Sequence, residues 1–213
     1  EAFAAGTFDP LSVLLVEAPD ILPRRTPGLP DERFARGAVP MTKQEVRAVV
    51  LAKLAITPED VLWDVGAGTG SVSVELALAA NRGQVYAIED KAEAWELIRK
   101  NRESFHAWNL KLVEGRAPKA LEGLPPPDGV FIGGSGGELP AIVEAALTAN
   151  PHARLCISAI ALETLDAAVK ALTDHGITPQ VTQLAVSRSR EAGGLHLMMA
   201  NNPVFLIVGW RDD

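Results

Sequence analysis

The 213-residue sequence contains a single cysteine and no long apolar run. One cysteine excludes an intrachain disulfide, and the apolar neighbours of Cys156 indicate a small buried side chain rather than a nucleophile. No stretch approaches the roughly 18 apolar residues that cross a bilayer, and no signal peptide is visible. We therefore expect a cytoplasmic protein that does not interact with a membrane.

Basic residues are fewer than acidic ones, with 20 Lys and Arg against 27 Asp and Glu, which gives a formal net charge of −7. A general nucleic-acid binder needs a surplus of Lys and Arg to neutralise phosphates, so we expect no nucleic-acid partner. Residues 24–47 are locally basic, and this segment is either a solvated surface or a binding surface for an anionic ligand. The histidines show no metal-ligand spacing, so the sequence predicts no metal site.

Apolar residues make up 47% of the sequence, which is enough for one sizeable core and one main domain. The apolar pattern of residues 11–18 predicts a short strand, and the proline-rich segment after them is typical of a linker. We expect the domain to span residues 28–213, with residues 1–27 the remnant of a preceding domain and its linker. Its first helix is predicted to begin after Thr42, with Glu45 completing a capping box.

A strand-then-helix pattern then repeats along the chain. Strands are predicted at 61–65, 84–89, 110–114, 129–132 and 154–160. Helices are predicted at 70–80, 91–103, 138–149 and 162–175, with a short one near 118–122. This alternation predicts a mostly parallel sheet with helices on both faces. The last apolar segments, 179–189 and 202–211, have no helix between them, and we expect them to pair antiparallel at one edge.

Three glycines in five positions, Gly66, Gly68 and Gly70, separate the first of these strands from the next helix. Glycine permits positive φ and lacks the Cβ that would hold a ligand away from the backbone. The loop falls at the carboxyl edge of the sheet, where such folds bind nucleotides. A dinucleotide fingerprint needs another glycine where this sequence has Ser71, which disfavours pyrophosphate. Glu89, at the end of the second strand of this series, can accept hydrogen bonds from both hydroxyls of a ribose.

The spacing of Asp64, Gly66, Gly68 and Gly70 resembles the first motif of class I methyltransferases, which use S-adenosylmethionine. Glu89 and the expected antiparallel end of the sheet fit the same resemblance. The implied fold is α/β, a Rossmann-like three-layer sandwich. Its sheet would have seven mostly parallel strands, with the last strand reversed.

Longer segments are similar to a narrower family, the decarboxylating precorrin-6 methyltransferases of cobalamin biosynthesis. The most specific are GLPDERFARGAVPMTKQEVRAVVLAKL at 28–54 and LVEGRAPKALEGLPPPDGVFIGGSGGELPAIVEAA at 112–146. The resemblance implies an enzyme that methylates C15 of a precorrin-6 tetrapyrrole and decarboxylates its C12 acetate. It also implies a homotetramer. Residues 8–18 are similar to the last strand of a tetrapyrrole methylase domain, which implies a fused amino-terminal C5-methyltransferase domain.

The resemblance also implies which residues form the site. Contacts with S-adenosylmethionine fall on Thr42, Asp64, Gly66, Ala67, Gly68, Thr69, Gly70, Glu89, Ala117 and Gly133. The glycine run after the fourth strand of the series leaves a wide floor for a flat substrate, which Gly134 and Gly136 would contact through their backbone. The tetrad with which some relatives read a nucleic-acid base is missing there.

A tetrapyrrole with many carboxylates needs cations around the cleft, because Arg and Lys bind carboxylates. The candidate anchors are Arg36, Lys43, Arg116, Arg188 and Arg190. Ser135 and His196 are the candidate catalytic residues. The segment between the last two strands is expected to be a lid or an oligomer contact, with Gly193 and Gly194 as a hinge.

Three alternatives stay open at this point. A tRNA methyltransferase of the same fold is disfavoured by the acidic charge and the missing base-reading tetrad. A nicotinamide dehydrogenase is disfavoured by Ser71 and the reversed last strand. The third alternative is an assembly module that binds the cofactor and catalyses nothing.

Overall fold

A computed structural model describes residues 27–211 of the chain. The strand predicted at 11–18, and with it most of the predicted remnant and linker, lies outside these residues. The helices are α1 (Gln44–Leu54), α2 (Ser71–Ala79), α3 (Ala92–Ser104), α4 (Leu139–Ala149) and α5 (Leu162–Asp174). The strands are β1 (Val61–Val65), β2 (Gln84–Glu89), β3 (Leu110–Glu114), β4 (Gly129–Ile132), β5 (Arg154–Ala159), β6 (Gln180–Leu184), β7 (Ser187–Ala192), β8 (Leu195–Ala200) and β9 (Val204–Gly209). Short 3₁₀ turns occupy Asp31–Arg33 and Lys119–Leu121.

The main sheet has seven strands in the order β3-β2-β1-β4-β5-β9-β6. Strands β1 to β5 run parallel to one another, whereas β9 runs antiparallel to both β5 and β6. The predicted mostly parallel sheet with a reversed last strand is therefore confirmed. The chain order reverses at β1, where β2 and β4 lie on opposite sides, and ligands bind beside such a switch point.

The central strands are mostly apolar and almost entirely buried because helices cover both faces of the sheet. One core contains Leu62, Val74 and Ile98 and lies under α1, α2 and α3. The second contains Trp63, Ile142 and Leu172 and lies under α4 and α5. Consecutive residues of β1, such as Leu62 and Trp63, therefore point into different cores. Packing on both faces fixes the position of the sheet and of the carboxyl ends of its strands. Within residues 27–211, no helix has the length and hydropathy needed to span a bilayer.

The predicted capping box at the start of α1 is wrong. The helix begins at Gln44, its N-cap is Lys43, and no side chain caps it. Glu45 is held by a residue distant in sequence, because the Arg188 Nε donates a hydrogen bond of 2.9 Å to its Oε1. Glu45 therefore forms a long-range ion pair with Arg188 instead of capping the helix.

The segment after β6 also differs from its prediction. A single strand at 179–189 is expected, but β6 ends at Leu184, and β7 pairs with β8 in a separate two-stranded sheet. Gly193 and Gly194 have φ of +59° and +77° and join the paired residues Ala192 and Leu195. Positive φ at both central residues is typical of a type I′ hairpin turn, so these glycines close a β-hairpin. We call residues 187–200 the hairpin.

Candidate active site

A cavity of about 400 Å³ opens at the carboxyl edge of the sheet, above β1, β2 and β4. Ligand sites in proteins typically enclose about 300–1,000 Å³. Its lining is Val39, Pro40, Thr42, Gly66, Ala67, Gly68, Glu89, Asp90, Lys91, Arg116, Gly133, Gly134 and Gly136. Five chain segments therefore meet at one site, and glycines in two of them present backbone where side chains would otherwise stand.

The glycine loop after β1 has a second requirement for glycine besides ligand access. A Cβ on Gly66 would lie 2.5 Å from the Gly134 carbonyl oxygen, and one on Gly68 would lie 2.8 Å from the Pro40 carbonyl oxygen. Both distances are far below van der Waals contact, and both residues have positive φ. The glycine segments 66–70 and 133–137 therefore interlock at Gly66 and Gly134. Side chains at Gly66 and Gly68 would clash with the backbone of Gly134 and Pro40, so the cavity wall can form only with glycine at these positions.

Glu89 ends β2 with its carboxylate in this wall. Its Oε2 accepts a hydrogen bond of 2.7 Å from the Gly68 N–H, and its Oε1 accepts one of 3.0 Å from the Lys91 N–H. The residue is only 6% exposed. Each carboxylate oxygen has two acceptor positions, so both oxygens keep one free for a ligand. The same side chain thus fixes the glycine loop and offers a charged acceptor pair to the cavity.

Asp64 lies beneath the loop, fully buried within β1, and does not line the cavity. The Ser73 hydroxyl donates a hydrogen bond to its Oδ2, and among the described residues its Oδ1 has no partner. Burial raises the pKa of Asp64 to about 7, and the neighbouring charge of Glu89 acts in the same direction. Thr69 and Gly70 also support the loop from below, since Thr69 is 1% exposed and Gly70 packs against Ile98.

A smaller cavity of about 40 Å³ adjoins the first and is lined by Ala117, Ser135 and Gly136 among others. Arg116 borders both cavities and donates a hydrogen bond of 2.6 Å from Nη2 to the Gly136 carbonyl oxygen. This bond links the loop after β3 to the glycine floor after β4. The predicted residues Ala117 and Ser135 therefore lie together beside the main cavity.

Val39, Pro40 and Thr42 form another part of the cavity wall, and a buried arginine holds this segment. Arg47 has no exposed surface, and its Nη1 donates a hydrogen bond of 2.5 Å to the Thr42 carbonyl oxygen. The same guanidinium bonds Asp31 at 2.7 Å and Glu75 at 2.6 Å. Glu75 in turn accepts hydrogen bonds from the Gly28 and Leu29 N–H groups. This buried cluster attaches the segment before α1 to α2.

Asn101 makes a second attachment from α3. Its Oδ1 accepts a 2.7 Å hydrogen bond from the Ala35 N–H, and its Nδ2 donates to the carbonyl oxygens of Ala35 and Thr69 at 3.1 and 2.8 Å. The amide is buried and so bridges the segment before α1 to the glycine loop. Neither Arg47 nor Asn101 is singled out by the sequence, because only the fold brings their partners within reach.

The predicted cations are not gathered at one place. Arg116 lines the main cavity together with Lys91, which no sequence motif marks as a site residue. Arg36 and Lys43 are exposed on the segment that forms the wall. Arg188 is engaged by Asp31 and Glu45 and is therefore not free to hold a substrate carboxylate. Arg190 and His196 lie on the exposed hairpin and do not line the described cavities.

The reversed strand beside β5, the glycine cradle and the acid at the end of β2 define a class I methyltransferase. The chain belongs to the precorrin methyltransferase family, since the family described as "Precorrin methyltransferase domain" matches residues 32–211.

Two curated relatives align with this chain over nearly their whole length. The protein of Pyrobaculum calidifontis named "Probable cobalt-precorrin-6B C(15)-methyltransferase (decarboxylating)" is 46% identical over 191 residues, which cover 88% of this chain and 98% of the relative. The Salmonella typhimurium cobalt-precorrin-6B C(15)-methyltransferase (decarboxylating) is 41% identical over 186 residues, covering 86% and 96%.

Solved structures agree with this placement. The precorrin-6y C5,15-methyltransferase of Geobacter metallireducens is 38% identical with a TM-score of 0.83, covering 88% of this chain and 98% of that chain. The C-terminal domain of precorrin-6Y C5,15-methyltransferase from Rhodobacter capsulatus is 32% identical with a TM-score of 0.76, covering 88% of this chain and 100% of that chain.

Proposed function

We propose that this chain is an S-adenosylmethionine-dependent C-methyltransferase that methylates C15 of a precorrin-6 tetrapyrrole and decarboxylates its C12 acetate in cobalamin biosynthesis. The observation that carries the proposal is the 400 Å³ cavity whose wall combines Glu89 with two interlocked glycine segments. The names of the relatives supply the substrate class and the decarboxylation.

The residues present fit the cofactor. Glu89 has a free acceptor position on each oxygen for the two ribose hydroxyls, because its bonds to Gly68 and Lys91 use one position each. Gly66 and Gly68 have no side chains, so the loop admits a ligand that larger residues there would exclude. Thr42 and Gly133 line the same cavity, and Ala117 lines the smaller one beside it. When bound, S-adenosylmethionine supplies an electrophilic methyl group on its sulfonium.

The chain's own contribution to methyl transfer is alignment of the substrate carbon. Gly133, Gly134 and Gly136 form a floor without side chains, so a flat macrocycle can approach the cavity over it. Holding two reactants in a productive geometry contributes up to about 7–11 kcal/mol to a rate enhancement. The adjacent pyrrole nitrogen makes the ring carbon nucleophilic in an enamine sense.

Decarboxylation requires an acceptor for the electron pair left when the carbon–carboxyl bond breaks. A protonated conjugated macrocycle is itself such an acceptor, so the protein has to hold and orient the acetate. Arg116 and Lys91 line the cavity and Lys43 lies next to its wall, and these cations are suited to the remaining carboxylates. Ser135, beside the floor, is the predicted catalytic side chain that lines a cavity.

The experiment incubates the protein with S-adenosylmethionine and precorrin-6 species and reads the product by mass spectrometry. We expect one added methyl group and the loss of one carboxyl group as carbon dioxide, and no change in a control without the cofactor. An unchanged substrate mass would contradict the proposal. Methylation without loss of carbon dioxide would contradict its decarboxylating half.

The assembly is a separate part of the proposal. The hairpin exposes Leu195, Met198 and Met199 by 66%, 67% and 49%, and apolar patches of this kind mark interfaces. We infer that four copies associate through their hairpins. Sedimentation equilibrium is expected to give a tetramer for the wild type and a smaller species for Leu195→Glu. The control Trp108→Glu changes an apolar residue of similar exposure, 64%, outside the hairpin and is expected to stay tetrameric. A monomeric wild type would overturn the inference.

We further propose that a C5-methylating domain precedes this one in a cytoplasmic full-length protein. The similarity of residues 8–18 to the last strand of a tetrapyrrole methylase domain supports this arrangement. The solved Rhodobacter capsulatus domain offers a parallel, because its name describes it as the C-terminal domain of a C5,15-methyltransferase.

A further inference from the structure

Arg188 ties the hairpin to the body of the domain. It lies on β7, and its guanidinium forms a bidentate pair with Glu45, with Nε–Oε1 at 2.9 Å and Nη2–Oε2 at 2.5 Å. Its Nη1 donates a third bond of 2.7 Å to the Oδ2 of Asp31. Among residues 27–211, no other side chain of the hairpin makes an ion pair.

The contacts continue from Asp31 to the wall of the cofactor cavity. The other oxygen of Asp31, Oδ1, accepts a bond of 2.7 Å from the Arg47 Nη1, and this same nitrogen bonds the Thr42 carbonyl oxygen at 2.5 Å. Thr42 lines the cavity. Three successive contacts therefore connect a half-buried hairpin residue to the cavity wall, and Asp31 is the shared carboxylate.

Carboxylates and guanidinium groups alternate along this chain of contacts. Three carboxylates, those of Asp31, Glu45 and Glu75, face the two guanidinium groups of Arg47 and Arg188. Burial alone would raise the pKa of Asp31, but the hydrogen bonds from Arg188 and Arg47 outweigh it and hold that pKa below its ordinary value. Hydrogen bonds to Glu45 and Asp31 likewise raise the pKa of Arg188. Asp31 is 6% exposed, so losing Arg188 leaves a buried carboxylate with one partner fewer.

We propose that Arg188 is a positioning residue for the cofactor site, which it orders from the hairpin through Asp31, Arg47 and the Thr42 carbonyl group. The inference rests on the proposed cofactor site. Its consequence is that the seating of the hairpin and the affinity for the cofactor are coupled. Such coupling is reciprocal, so cofactor binding stabilises the seated hairpin by the same factor.

The test measures the dissociation constant of S-adenosylhomocysteine by calorimetry for wild type, Arg188→Met and Arg188→Lys. We expect about a tenfold weaker affinity for Arg188→Met and a smaller loss for Arg188→Lys, which keeps the charge but not the bidentate pair. Arg82→Met is the matched control, because it removes an exposed arginine–glutamate pair elsewhere, and its affinity is expected to equal that of the wild type.

A second readout separates positioning from simple structural support. In hydrogen exchange, S-adenosylhomocysteine is expected to slow exchange of residues 187–200 in the wild type and not in Arg188→Met. Unchanged affinity in Arg188→Met with a lower melting temperature would overturn the inference. If Arg188→Met does not fold, Glu45→Gln is used in its place, with the same expected direction and the same contradicting result. A wild type that binds no S-adenosylhomocysteine would instead contradict the proposed function.

Discussion

Replacing Glu89 with alanine is expected to weaken S-adenosylmethionine binding by at least about 100-fold, or roughly 3 kcal/mol. The loss has two sources. The ribose hydroxyls lose a charged acceptor pair, and each hydrogen bond to a charged group contributes about 1.5–3 kcal/mol. The Gly68 N–H also loses its acceptor, which loosens the glycine loop. Calorimetric titration of both proteins with the cofactor measures the ratio directly.

Glu114 provides the matched control. It ends β3, is paired in register with Glu89, and carries its carboxylate 42% exposed against Arg99. Glu114→Ala removes a carboxylate at the same level of the neighbouring strand and is expected to leave cofactor affinity unchanged. An affinity of Glu89→Ala within twofold of the wild type would show that the ribose is held elsewhere.

Arg47→Met is expected to lower the free energy of unfolding by about 3–5 kcal/mol, because it leaves the buried carboxylates of Glu75 and Asp31 without their common partner. Methionine fills similar space but cannot donate hydrogen bonds. The change is measured by urea unfolding at neutral pH.

Two further variants make the Arg47 result specific. Arg82→Met removes a pair exposed by 66% and 61%, and exposed pairs contribute at most about 1 kcal/mol. Adding Glu75→Gln to Arg47→Met removes one uncompensated charge and is expected to recover part of the stability. If Arg47→Met cost no more than Arg82→Met, the buried cluster would not be what holds the segment before α1.

The sheet and the glycine loop could be predicted because local sequence determines them. Alternating apolar strands and helices, the spacing of Gly66, Gly68 and Gly70, and the acid at residue 89 are each visible within a short window. The antiparallel pairing of β6 and β9 could also be predicted, since no helix separates their segments. The positions of these elements follow from period and spacing alone.

The cavity wall could not be predicted because distant residues make it. Glu45 has the spacing of a capping residue, yet its partner Arg188 lies 143 positions away. In the sequence, Arg47 is one basic residue of the segment 24–47, whereas in the structure it is the centre of a buried ion cluster. Even Gly66 has a partly different reason from the expected one, since the Gly134 backbone excludes a side chain there.

The hairpin is an intermediate case. The glycine pair Gly193 and Gly194 is visible in the sequence. The sequence predicts one strand at 179–189, however, whereas β6 ends at Leu184 and a new strand, β7, begins at Ser187. The apolar run Leu184, Ala185 and Val186 continues across the break, so the pattern alone does not show where the chain leaves the main sheet. His196 and Arg190, predicted to lie at the substrate cleft, are on this hairpin and do not line the described cavities.

The most direct test of the central claim is a crystal structure of the protein with S-adenosylhomocysteine. We expect the nucleoside in the cavity between residues 39–42 and the glycine segments, with both ribose hydroxyls within hydrogen-bond distance of the Glu89 carboxylate. A nucleoside bound outside that cavity, or a ribose held by another residue, would contradict the account.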